Sequence, residues 1–76
     1  MSDHSLDTKG LQCPLPVLRA QKALRALAVG DTLTVEATDP AARRDFPAFC
    51  ASAGHLLRSA AETGAGVYRF VIERRA

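Results

Sequence analysis

The residue run with the clearest chemical character is Cys13-Pro14-Leu15-Pro16. With Cys13 as helix N-cap, the two prolines fall at the first and third helical positions. Backbone N–H groups there have no intrahelical partner, so proline is tolerated and its fixed φ stiffens the turn. The positive end of the helix field would then stabilise a thiolate on Cys13, the form that attacks sulfur. Arg19 and Lys22 follow one to two turns later and are expected to add positive charge. The sequence therefore predicts an exposed nucleophile of lowered pKa. No Cys-x-x-Cys is present, so no resolving thiol is near in sequence to expel a sulfur bound to Cys13. A disulfide oxidoreductase needs that second thiol, whereas a carrier of a persulfide is better without it. No local His-Asp or His-Asn pattern points to a cysteine hydrolase.

The other candidates are weaker. Cys50 shares a helical face with Phe46 and Phe49 and is expected in the core as a small apolar residue. His4, Cys13, Cys50 and His55 have no paired-knuckle spacing, so no metal site is expected. Arg19, Lys22 and Arg25 form a basic stripe that reads as a partner-docking surface or a solvated helix face. Tyr68 and Phe70 could stack bases, but core packing is the expected role. No phosphate-binding glycine loop occurs.

Positioning these residues requires one small domain. The chain has 76 residues, 47% hydrophobic and 24% charged, with a net charge of +2, too mild to argue for nucleic acid. No apolar run is long enough to span a bilayer, and the polar N-terminus lacks a secretory pattern. The cytoplasm, with both thiols reduced, is the expected compartment.

A short strand is expected around residues 5–7, ended by Lys9-Gly10, where glycine's tolerance of positive φ allows a sharp turn. A helix is expected over 14–28, with Val17, Ala20, Leu24, Leu27 and Ala28 on its inner face. Strict alternation marks 32–38 as a strand with Leu33, Val35 and Ala37 buried. Asp39-Pro40 signals a helix start. Because proline cannot sit deep in a helix, Pro47 argues for a loose turn through Arg43-Arg44 and a helix capped afresh by Asp45, ended by Gly54. Strands over 55–62 and 67–73 are joined by a glycine-rich hairpin connection. The order is βαβαββ: an α/β two-layer sandwich, with a four-stranded mixed sheet carrying two helices on one face.

Gly10-Leu11-Gln12-Cys13-Pro14-Leu15-Pro16, with the basic helix behind it, resembles the TusA (SirA-like) sulfur-carrier family. Asp39-Pro40, Arg44-Asp45 and Pro47-Ala48-Phe49-Cys50 are similar to the TusA branch. Leu15 stands where many members have glutamate. The resemblance runs from about Leu6 to Ile72 and implies the same fold, with a persulfide carried on Cys13 and a site shaped by Gly10, Pro14 and Pro16. It further implies a stoichiometric carrier rather than a stand-alone enzyme, with no cofactor of its own. An IscS-like cysteine desulfurase, whose pyridoxal phosphate belongs to the donor, or a rhodanese would load Cys13. A TusBCD/TusE-like relay or another thiol acceptor would take the sulfur towards tRNA 2-thiouridine. Relatives also serve dissimilatory sulfur oxidation, cofactor synthesis or thiosulfate uptake. A monomer is expected, with no direct contact to nucleic acid or membrane. From other classes, a small nucleic-acid-binding or regulatory module and a lone thiol-dependent reductase are the alternatives.

Overall fold

The computed structural model describes residues 2–76. Its elements run β1 (Asp3–Thr8), α1 (Leu15–Arg25), β2 (Thr32–Ala37), α2 (Ala42–Ala53), β3 (Leu56–Gly64) and β4 (Val67–Glu73). The order is the βαβαββ that the sequence predicts. One mixed sheet has the strand order β1-β2-β4-β3, with β1 parallel to β2 and the other two pairings antiparallel. A parallel β1–β2 pair needs a crossover, and α1 supplies it.

Alternation in the two central strands decides which face the helices cover. Leu33, Val35 and Ala37 of β2 stand opposite Ile72, Phe70 and Tyr68 of β4 in register. All but half-buried Tyr68 are buried, and α1 lays Ala20 and Leu24 over them. From α2 come Ala42, Phe46 and Cys50, spaced four apart along one helical stripe. Phe46 stacks on Phe70 with ring centroids 4.5 Å apart, which anchors α2 to the sheet. The opposite face of the sheet carries polar pairs instead: Glu36 binds both Lys9 at 3.2 Å and Arg69 at 3.1 Å.

Four boundaries differ from expectation by two residues or more. Strand β1 begins at Asp3 rather than near residue 5. Helix α1 stops at Arg25 rather than continuing to residue 28. Ala26 and Leu27 donate to the carbonyls of Ala23 and Leu24, tightening the last turn, and the Arg74 guanidinium binds the carbonyls of Arg25 and Leu27. Ala28, expected on the inner face, is exposed, and its N–H goes to Asp31 at 3.1 Å. Helix α2 begins three residues before Asp45, so Arg43 and Arg44 are helical and Pro47 lies inside the helix. Asp39 explains the early start: its side chain accepts the Ala41 N–H at 3.0 Å and its carbonyl accepts the Ala42 N–H at 3.0 Å. Burial of Ala42 and Phe46 then holds the first turns against the proline penalty. Strand β3 runs two residues beyond residue 62, leaving Ala65-Gly66 as the hairpin turn. Gly54, with φ +80°, ends α2 as its residue type predicts.

Candidate functional site

Everything that approaches Cys13 is held by the ends of three elements. Thr8, the last residue of β1, accepts the Leu11 N–H, and Gly10 turns the chain at φ +85° while donating to Thr38 Oγ1 at 2.9 Å. The next four residues, Gln12 to Leu15, form a turn closed by the Leu15 N–H on the Gln12 carbonyl at 2.8 Å; the Cys13–Pro14 peptide bond within it is cis. The helix N-cap is Pro14, not Cys13, so the prolines occupy the N-cap and second helical positions. Pro16 is buried and seats the turn, whereas Pro14 and Cys13 are exposed.

Cys13 is fixed from the side by α2 and the loop before it. Asp39 Oδ2 accepts the Cys13 backbone N–H, and Asp45 Oδ2 lies 3.0 Å from Cys13 Sγ. Arg44 Nε reaches the other Asp45 oxygen at 3.3 Å. Asp39 is kept below the ordinary carboxylate range, first by the Cys13 N–H and then by that of Ala41.

This geometry overturns the expectation of a lowered thiol pKa. The hydrogen bond to Asp45 pushes Cys13 above the ordinary thiol value; partial removal from water and the charges of Asp45 and Asp39 add to the rise, and Arg44 opposes it. The helix field loses because Cys13 sits one residue outside the N-cap while a carboxylate touches its sulfur. Arg19, Lys22 and Arg25 are all exposed on α1, but the cation that acts on Cys13 is Arg44.

The sulfur opens into a shallow groove between the two helices, walled by Pro14 and Val17 of the first and by Ala48, Phe49 and Ser52 of the second. Cys50 lies elsewhere: it is 2% exposed within the core, and burial pushes its thiol up. Among the described residues no three His, Cys, Asp or Glu side chains come together as a metal-binding set. His55 Nδ1 instead accepts the Arg75 N–H at 3.2 Å. Phe70 is core, and half-buried Tyr68 lies under the Arg43 guanidinium, 5.7 Å from its centroid. Among the described residues no helix is long and apolar enough to cross a membrane.

Fold and site together define a small two-layer α/β domain that presents one thiol at the mouth of an open interhelical groove. The family model described as Sulfurtransferase TusA matches residues 4–74. A relative from Neisseria meningitidis is 49% identical over 75 residues, covering 99% of this chain and 100% of that protein. The sulfur carrier protein TusA of Allochromatium vinosum is 46% identical over 72 residues, with 95% of this chain and 93% of that one covered. A SirA-like protein of Desulfitobacterium hafniense superposes with a TM-score of 0.84 at 28% identity, covering 96% of this chain and 99% of that chain. This chain belongs to the TusA family of sulfur carriers.

Proposed function

We propose that the protein carries sulfane sulfur as a persulfide on Cys13, taking it from one protein and giving it to another. The observation that carries this reading is the contrast between the two thiols: Cys13 is exposed beside an open groove, and Cys50 is enclosed in the core. A single reachable thiol can hold one sulfur without expelling it as an internal disulfide.

In loading, the Cys13 thiolate attacks the terminal sulfur of a donor persulfide. The donor's S–S bond breaks, a new S–S bond forms on Cys13, and the donor leaves as a thiol after taking up the proton that Cys13 gave up. Discharge repeats the exchange with the acceptor's thiolate, so sulfur moves with no net oxidation or reduction. Donor and acceptor do the rest of the chemistry, and the chain is a co-substrate without a cofactor of its own. The donor is a cysteine desulfurase of the IscS type, or a rhodanese. The acceptor is a TusBCD/TusE-like relay, with tRNA 2-thiouridine as the destination. Exposed Arg19, Lys22 and Arg25 offer a basic face for docking either partner. Gly10, Pro14 and Pro16 shape the turn that presents the sulfur.

Incubation with a cysteine desulfurase, pyridoxal phosphate and cysteine tests the reading. The wild type and Cys50→Ser should gain the mass of one sulfur, released by reductant, and Cys13→Ser should gain none. The reverse pattern refutes it. Loss of tRNA 2-thiouridine on deletion of the gene checks the destination separately.

A further inference from the structure

Carrying a sulfur atom requires a reachable thiol but not a carboxylate against it. Yet Asp45 Oδ2 stands 3.0 Å from Cys13 Sγ. In this contact the sulfur is the donor and the carboxylate oxygen the acceptor, so the hydrogen lies on Cys13. A thiolate in the same place would set two negative charges face to face. The charged groups acting on the sulfur are few. Asp45 comes from α2, Asp39 from the loop before it, and among the described residues the opposing cation is Arg44, whose side chain is 79% exposed and turned to the far Asp45 oxygen. Asp45 lies in the first turn of α2, where the helix field favours its negative charge. The carboxylate is therefore fixed by its helix and aimed at the sulfur.

We propose that Asp45 is a latch on the carrier: its carboxylate holds Cys13 as the hydrogen-bonded thiol while the protein is free, and the sulfur becomes a nucleophile when that carboxylate is neutralised. A partner that presents a cation to Asp45 on docking releases the latch, so Cys13 stays quiet between partners. The latch deepens the reading of Cys13 as the sulfur-bearing residue and rests on it for its purpose. As a property of the thiol it is measurable without any sulfur donor.

The test is alkylation of the full chain by iodoacetamide, an uncharged reagent, followed at Cys13 by peptide mass spectrometry across pH. Asp45→Asn keeps the shape and removes the charge, standing in for a partner's cation. Its rate at neutral pH should rise roughly two- to fivefold, the span of exposed charge pairs. The midpoint of the profile should move to lower pH with little change in the alkaline plateau. A change in access alone would move the plateau instead. Arg44→Gln removes the opposing cation and should move the midpoint the other way. Buried Cys50 should stay unmodified in every sample, which reports the fold; if Asp45→Asn exposes Cys50, Arg44→Gln decides. An unmoved or raised midpoint in folded Asp45→Asn overturns the latch, as does an unmoved or lowered midpoint in Arg44→Gln. Sulfur loading of the same wild-type sample separates the two claims. A protein whose midpoint shifts but which never loads keeps the latch and loses the carrier, and one that loads with an immovable midpoint loses the latch alone.

Discussion

Replacing Pro47 by alanine should stabilise the protein, because this proline stands where a helix least tolerates one. It is the sixth residue of α2, beyond the first turn, with its side chain exposed. Having no N–H, it leaves the Arg43 carbonyl without its partner four residues on, and its ring crowds that same carbonyl. In a helix interior the difference between proline and alanine is about 3 kcal/mol. Two features of α2 reduce it. Arg43 is exposed, so its carbonyl can turn to water, and Phe46 and Cys50 are packed at 0% and 2% exposure, which limits how far the helix can straighten. A gain of about 1–2 kcal/mol remains. For a domain of this size that raises the melting temperature by roughly 5–15 °C. Thermal melts followed by far-ultraviolet circular dichroism read the shift, and urea melts with an unchanged slope confirm that it is stability. Pro40 is the control. It precedes the helix, in the turn that Asp39 closes, so Pro40→Ala should lose about 0.4–1 kcal/mol through the unfolded chain's added freedom. A lower or unchanged melting temperature for Pro47→Ala would refute the account of α2.

Phe46→Ala should remove about 3–5 kcal/mol by deleting a fully buried ring and its stack on Phe70. A chain of this length has about 4–11 kcal/mol in all, so the urea midpoint should collapse, and a loss below 1 kcal/mol would contradict the core described. Asp31 accepts the Ser2 N–H at 2.9 Å and the Ala28 N–H at 3.1 Å and faces His4 at 3.5 Å, which together keep its carboxyl below the ordinary range. A depressed carboxyl contributes stability above its unfolded pKa and loses it as pH falls through the folded one. Asp31→Asn should therefore be less stable at neutral pH, and its urea midpoint should converge with that of the wild type in acid; parallel curves would count against this.

What was legible in the sequence followed from local pattern. Strict alternation in β2 and β4 reports one wet and one dry face, so both strands and the two-layer architecture could be read directly. The edge strand β3 is exposed along almost its whole length and carries register shifts near Leu57 and Gly64, which erase alternation and blur its ends. Pro47 misled because its local penalty is real, while the burial of Ala42 and Phe46 that overrides it is tertiary. At the site, Cys13 and its prolines stood out because they are contiguous. Asp39 and Asp45 lie 26 and 32 residues away, and only tertiary packing of α2 and the loop before it brings Asp39 to the Cys13 N–H and Asp45 to the sulfur. Asp45 was visible as a helix-start acid, and nothing local tied it to the thiol. Hence the exposure of Cys13 was foreseen and the direction of its pKa shift was not.

The carrier role proposed for Cys13 requires that sulfur reside on that one reachable thiol. Peptide mapping of the protein after loading, with excess donor removed, locates that sulfur directly. The expected result is a single added atom on the fragment holding Cys13, which then moves to an acceptor thiol and is blocked by prior alkylation. Sulfur found on the Cys50 fragment, or retained in full after Cys13 has been capped, would contradict the account.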